Sequence, residues 1–316
     1  MVNIRDIAQM ADVSLSTVSR VINKNKYVSE KTRNHVQSII DETGYIKNGV
    51  AVKLSTGKSG VIGVQIPYNN TCYDQLIDSI LLTAKEKCYQ VQLLPTYYEQ
   101  ETENYYYAML EQKVIDGLIL TSRSDCTTDL DQMLLRGRVI STEKLENVGV
   151  PMIYADREQA YEKVFAHLFE QKAQDVVFIA KRSSEQSITT RNKIKAYEKY
   201  FGKAKENKNF FIGIDQYESG YSWALNQVKE QRIPAYIYVN GDNTAAGILQ
   251  AFQENGWEHN KDFTLIGEGN LSYSRIFNFS TIDFASEEIG KECVEFLLSD
   301  KKTIKCGKEP TFILRK

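Results

Sequence analysis

The chain has 316 residues, 42% of them hydrophobic and 25% charged, with a formal net charge of −2. This is the balance of a globular protein of about two domains, and it excludes a polypeptide that is basic along its whole length. No apolar run approaches the roughly 18 residues of a membrane span. Arg5 and Asp6 interrupt the start, where a secretory leader would be apolar. The odd set Cys72, Cys88, Cys126, Cys293 and Cys306, with no C-x-x-C, suits reduced thiols in a cytoplasm. His35, His167 and His259 stand too far apart to suggest a local metal cluster, and neither a metal nor an organic cofactor is expected.

The charge is uneven. Residues 1–60 hold nine Lys or Arg against five Asp or Glu, a net of +4 that leaves −6 for the rest of the chain. A basic head on an acidic body fits a polyanionic partner for the head alone. The first 45 residues predict three short helices. IRDIAQMA places Ile4, Ile7, Ala8 and Ala11 at helical spacing. ADVS breaks the pattern, and Ser14 can cap a second helix running to about Asn23. After the loop KNKYV, Ser29 can cap a third helix with an apolar stripe of Val36, Ile39 and Ile40, ending at Gly44.

The second of these, within DVSLSTVSRVIN, carries more hydroxyls than a core helix and less charge than a plain surface helix. Two helices joined by a tight turn read as a helix-turn-helix, whose second helix enters the major groove. Ser16, Thr17 and Ser19 are small groups suited to phosphates or base edges. Arg20 can pair bidentately with guanine or grip a phosphate, and Leu15 can lie on a thymine methyl. Val13, Val18 and Val21 are left to face the first and third helices.

Residues 45–58, YIKNGVAVKLSTGK, have weak helical character. Gly49, Val50 and Val52 disfavour a helix, and the piece is too short to hold one alone in water. From Ser59 onward, short apolar runs predict eight strands: VIGVQI, YQVQLL, DGLILT, PMIYA, DVVFIA, FFIGI, AYIYV and FTLIGE. Amphipathic stretches such as YDQLIDSILLTAKEKC and DNTAAGILQAFQENG lie between most of them. This alternation predicts right-handed crossovers, mostly parallel sheets covered by helices, and two three-layer lobes rather than one sheet.

IRDIAQMADVSLSTVSRVIN, YVSEKTR and GYIKNGVAVKL, spanning residues 3–54, closely resemble the headpiece of the lactose-repressor/galactose-repressor family of bacterial transcription factors. GVIGVQIP, VIDGLIL and DNTAAGILQAFQENGW with DFTLIGEGN resemble that family's effector domain, which is similar to periplasmic sugar-binding proteins. The resemblance implies an all-α helix-turn-helix headpiece at 1–46, a hinge helix at 47–58 and an α/β two-lobed effector-binding and dimerisation domain at 59–316. The N-lobe would be 59–155 plus 285–299, and the C-lobe 156–284 plus 300–316. Ser14, Leu15, Ser16 and Arg20 match recognition-helix positions, and Asn48 to Ser55 the hinge helix. Leu54 matches a leucine wedged into a minor-groove step, where it gains a bend for a few kcal/mol of unstacking. Thr17, Ser19, Asn23, Asn48, Val50 and Ala51 complete the expected DNA-facing set. In that family two hinge helices pair only on the operator, in accord with the marginal helix read above. Lys47 stands where the family often has Pro, and Val52 where it often has Arg or another polar residue, departures that imply a looser hinge or fewer phosphate contacts.

Ligands of two-lobed α/β proteins bind at strand C-terminal ends. Here those are PYNNTCYD (67–74), Thr121 to Ser124, Asp156 and Arg157, the 181–191 loop, NGDN (240–243) and GEGN (267–270). Sugar recognition needs hydrogen-bonding side chains and an aromatic platform, which Tyr68, Asn69, Tyr73, Arg191, Asp242 and Asn243 offer. By resemblance, Arg191 and Asp242 fall at effector-contacting or cleft positions. Asp242 is equally suited to capping the helix that follows, and Arg191 to pairing with a carboxylate. Gly269 stands where the family usually has an Asp that binds ligand hydroxyls. Either the ligand differs, as a larger sugar or sugar phosphate would, or Glu268 or Asn270 takes over. TGKSG is not a phosphate-binding loop, because Val52 occupies the position of its first glycine. No Ser-His-Asp pattern or G-x-S-x-G elbow is present.

The expectation is a cytoplasmic, homodimeric, sequence-specific repressor of carbohydrate-utilisation genes. It binds double-stranded operator DNA, is controlled by a sugar or sugar phosphate in the cleft, and has no enzymatic activity and no membrane partner. The end at FILRK, without heptads, predicts no leucine-zipper tetramer. A solute-binding protein and an α/β enzyme acting on a sugar or nucleoside are the alternatives.

Overall fold

The computed structural model describes residues 2–23, 27–46, 57–124, 130, 134, 137–146 and 148–315. Contacts divide the chain into two compact units, 1–58 and 59–316. In the first unit, α1 (Ile4–Met10), α2 (Leu15–Ile22) and α3 (Glu30–Thr43) follow from local capping. Asn3 accepts from the Arg5 and Asp6 amides while the Asp6 carboxylate accepts from the Asn3 amide, a reciprocal box at the start of α1. Ser14 and Ser29 cap α2 and α3, and Gly44 closes α3 in the left-handed conformation. The turn between α1 and α2 puts Asp12 at φ 50°, a region that Asp tolerates better than most residues. Ile7, Val18, Val21 and Val36 fill the small core between the three helices.

The second unit holds two six-stranded sheets. Its elements in chain order begin with β1 (Val61–Ile66), α4 (Asp74–Glu86), β2 (Gln90–Pro95), α5 (Gln100–Glu111), β3 (Gly117–Leu120), β4 (Arg138–Ser141) and β5 (Met152–Ala155). Then come α6 (Arg157–Glu170), β6 (Val176–Ile179), α7 (Ile188–Phe201), β7 (Phe210–Phe211), α8 (Tyr217–Lys229), β8 (Tyr236–Tyr238), α9 (Asp242–Glu254), β9 (Thr264–Glu268), α10 (Ser272–Ile276) and β10 (Ser280–Asp283). The chain closes with α11 (Ser286–Leu298), β11 (Lys305–Lys308) and β12 (Thr311–Ile313). The first sheet runs β11-β5-β4-β3-β1-β2 and is parallel throughout. The second runs β12-β10-β9-β8-β6-β7, parallel except where β12 pairs with β10.

The parallel two-lobed α/β architecture agrees with the sequence reading, with two corrections. β4, β10, β11 and β12 are absent from the eight predicted strands, because RVIS, STID, KCGK and TFI lack a long apolar run; KCGK is an edge strand of half-exposed residues defined only by its register on β5. Residues 300–316 do not all belong to the C-lobe. β11 extends the first sheet, and only β12 joins the second, so the chain crosses between lobes once more at Glu309 and Pro310. Among the described residues no helix is long and apolar enough to cross a membrane.

Helices α8 and α9 meet backbone to backbone. A Cβ on Gly247 would lie 2.1 Å from the Tyr217 carbonyl oxygen, and one on Gly220 2.5 Å from that of Thr244. An exposed helical Gly→Ala change gains up to about 1 kcal/mol. Gly247→Ala is expected instead to destabilise by roughly 2–3 kcal/mol, because the helices must separate. Urea unfolding of the variant measures this, and a gain in stability would show that the helices yield freely.

Candidate functional site

The head presents one chemically distinct helix face. Val18 and Val21 of α2 are buried in the core and Val13 is half-buried beside them, while Ser14, Leu15, Ser16, Arg20 and Asn23 are exposed and Thr17 and Ser19 half-buried. The face is ordered by its own hydroxyls. Ser14 Oγ accepts from the Thr17 amide at 3.2 Å and lies 2.8 Å from both Ser16 Oγ and Thr17 Oγ1. Asn23 Nδ2 donates to Ser19 Oγ at 3.4 Å. Leu15 is 46% exposed at the first position of the helix, an apolar group with no core to fill. Asn48, Val50, Ala51 and Leu54, expected to face DNA from the linker, lie outside the described residues.

In the second unit, the C-terminal ends of the strands of both lobes converge on an open cleft. At its floor, β9 delivers Glu268 and α7 delivers Lys193, side chains only 7% and 3% exposed, with Nζ 2.6 Å from Oε1. The ammonium lies 4.2 Å from the ring centre of Tyr238 and 5.0 Å from that of Tyr161. Burial holds Lys193 below the usual lysine range, against the opposing pull of Glu268. Arg157, opening α6, stacks on Phe284 at 4.1 Å and stands 4.0 Å from Glu268.

The cleft wall is aromatic and cationic. Tyr97 and Tyr98 follow β2 with φ of 52° and 61°, two successive left-handed residues without glycine. Such conformations cost of order 1–3 kcal/mol each and gather at functional sites. The result is that Tyr98 enters the cleft, with the Arg182 guanidinium 4.2 Å above its ring. Across the lobes, the Tyr68 hydroxyl donates to Asp215 at 2.8 Å, and Lys181 sits 3.6 Å from the same carboxylate and 3.8 Å over the Tyr68 ring. Burial lowers the Lys181 pKa, opposed by Asp215. Glu143, beyond β4, is pushed up by burial and pulled down by Arg157, Arg182 and Arg123.

The expected ligand-facing residues divide. Tyr73 and Glu268 line the cleft, and Arg191 lines an adjoining recess, where Nη1 donates to the Ser184 and Glu185 carbonyls. Tyr68 bridges the lobes, and Asn69 is exposed outside the lining. Asp242 and Asn270 are corrections. The Asp242 carboxylate is fully buried away from the cleft, accepting from the Leu271 amide and the Thr281 hydroxyl, each at 2.7 Å. It does not cap α9 either, since Gly241 holds that position. The Asn270 side chain is held by Arg315 and Asp283 and does not line the cleft. Tyr98, Arg157, Lys181, Arg182 and Lys193 are the cleft residues that were not singled out as ligand contacts. The 181–191 loop was named as a cleft edge, but its two leading cations were not separated from ordinary surface charge.

Residues 3–48 match the bacterial regulatory proteins of the lacI family, and residues 59–293 match the periplasmic binding proteins and sugar binding domain of the LacI family. Catabolite control protein B of Bacillus subtilis (strain 168) is 35% identical over 302 residues, covering 95% of this chain and 96% of that protein. Among solved structures, the lac repressor dimer bound to operator and the anti-inducer ONPF superposes with a TM-score of 0.82 at 22% identity, over 100% of this chain and 98% of that one. A complex of the transcriptional regulator CelR with cellobiose superposes at 0.67 and 18%, over 100% and 99%. With both of its units matched, and a helix-turn-helix face joined to a two-lobed cleft domain, this chain belongs to the LacI family of DNA-binding transcriptional regulators.

Proposed function

We propose that the protein is a cytoplasmic repressor of carbohydrate-utilisation genes that acts as a homodimer on a pseudo-palindromic operator and is controlled by a sugar or sugar phosphate in the cleft. The observation that carries this reading is the α2 face. Its apolar side is fully used by the head core, and its other side is a row of hydroxyls with one arginine that no packing within the head requires. Ser14, Leu15, Ser16, Thr17, Ser19, Arg20 and Asn23 form this face, and Asn48, Val50, Ala51 and Leu54 extend it in the proposal. A dimer accords with exposed Leu81 and Leu82 on α4, Leu93 on the edge strand β2 and Val114 beyond α5, apolar surface that a second copy would cover. The lac repressor is a dimer on its operator, and CelR is complexed with cellobiose, which supports the same pairing of duties here. Tyr73 and Tyr98 supply the aromatic faces, and Glu268, Arg157 and Arg182 the polar contacts, that would hold such a ligand. A ligand that favours one arrangement of the lobes shifts operator affinity by its differential binding to the two.

Selection from a random duplex pool by the full-length protein is expected to enrich paired half-sites about one helical turn apart. Against the selected site, Arg20→Ala should weaken binding by about 1–3 kcal/mol if the guanidinium reads a base. Unchanged affinity would take Arg20, and with it this face, out of the interface.

A further inference from the structure

The side chains around the cleft are unbalanced in charge. Arg157, Lys181, Arg182 and Lys193 line it, against Glu143 and Glu268. Lys193 and Glu268 neutralise one another at 2.6 Å, both almost wholly buried. Arg157, Lys181 and Arg182 then remain against Glu143 on the lining and Asp215 beside Lys181, an excess of positive charge. None of the three is fully engaged. Among the described residues Arg182 has no carboxylate within ion-pair distance and rests on the Tyr98 ring. Lys181 is paired with Asp215 at 3.6 Å, a long contact to a carboxylate oxygen that also accepts from the Tyr68 hydroxyl. Arg157 is 4.0 Å from a glutamate that Lys193 already holds, and its plane is taken up by Phe284.

We propose that the cleft is built for an anionic ligand, a phosphate monoester of a small polyol, with Arg157, Lys181 and Arg182 as the anchors of its phosphate. This rests on the cleft being the effector site and names the charge of what it takes. The planar fork of an arginine matches two phosphate oxygens at once. Aromatic contacts leave the edges of Arg157 and Arg182, where their N–H groups lie, available to an acceptor in the cleft. A recess that gathers positive charge in reduced solvent raises the local concentration of anions and stabilises them once bound. A neutral sugar would occupy the same volume but leave that charge uncompensated behind it. Ser122 and Ser187, buried at the cleft edge, and the rings of Tyr73 and Tyr98 then suit the hydroxylated carbon skeleton.

The test uses the full-length protein, titrated calorimetrically with a panel of hexoses and with the same hexoses as 6-phosphates. At least one ester is expected to bind roughly tenfold or more tightly than its parent sugar, with affinity falling as sodium chloride is raised. Arg182→Gln and Lys181→Gln, each checked to melt as a folded protein without ligand, should remove most of that preference. A parent hexose that binds as tightly as its ester, or a preference that survives both substitutions, overturns the proposal while leaving the cleft an effector site. Binding of neither set overturns both the proposal and the effector reading on which it rests.

Discussion

Lys193→Met is expected to be among the most damaging single changes in the second unit, lowering its stability by roughly 3–5 kcal/mol. Methionine retains the length and apolar stem of the side chain, so packing between Tyr161 and Tyr238 is largely preserved. What is lost is the only cation within 3 Å of the Glu268 carboxylate among the described residues. Glu268 is then left charged in a site where water is nearly excluded, with Arg157 at 4.0 Å as its nearest substitute. Attraction within such a pair is largely offset by the desolvation of both ions, so the pair as a whole adds little. Removing one member leaves the desolvation of the other uncompensated. The double change Lys193→Met with Glu268→Leu should therefore recover most of the loss. Denaturant unfolding of the two single variants and the double variant measures the coupling. Additive losses would show that the two groups do not act as a pair.

The second large effect is one of pH. Burial pushes the Asp242 carboxyl from 3.8 up to about 7, although the Thr281 hydroxyl, the Leu271 amide and Ser274 favour its charged form. In the unfolded chain the same group ionises near its ordinary value. Between these two limits the folded state holds a proton that the unfolded state has released. Stability contributed by this group is thus full below pH 4, declines as pH rises, and levels off above pH 7. A shift of three units spans about 4 kcal/mol in all, of which roughly 2–3 kcal/mol falls between pH 5 and pH 8. Asp242→Asn preserves the shape and an acceptor for the Leu271 amide but does not ionise. Unfolding measured at several pH values should show the slope in the native protein and a flatter profile in the variant. Identical profiles would assign the dependence to other groups. Because Leu271 follows directly on the loop after β9, ionisation of Asp242 acts within three residues of Glu268 at the cleft floor.

The head was legible because its signals are local. Ser14, Ser29 and Gly44 each act on backbone groups within a turn of themselves, and the apolar spacing of Ile7, Val18, Val21 and Val36 is a property of each helix alone. The long apolar strands were legible for a similar reason, since a strand covered on both faces has to be apolar throughout. β4, with only Val139 and Ile140 between polar ends, and β10, β11 and β12 carry no such run. They are strands because a neighbouring strand offers them a ladder, and nothing in STID or KCGK announces that neighbour.

The cleft was legible in outline but not in its chemistry. Strand ends point to its edges, which placed Tyr73 and Glu268 on the lining. Asp242 and Asn270 lie equally near strand ends, yet their side chains are spent on tying the segment after β9, β10 and the chain end together. A residue at a strand end has two sides to face, and sequence position does not choose between them. Lys193 reads as a solvated lysine on an amphipathic helix until the fold brings it onto a glutamate 75 residues later.

Caps, periodicity and apolar runs were enough by themselves to establish a helix-turn-helix head, a repeated strand-and-helix body and the placement of a cleft between lobes, since each is governed by interactions a few residues long. Tertiary structure alone decided which charges meet in that cleft, that Asp242 is buried and that Gly247 touches Tyr217 of the facing helix. Desolvation, ion pairing and steric approach all depend on distances between segments far apart along the chain, and those distances exist only once the sheets have formed.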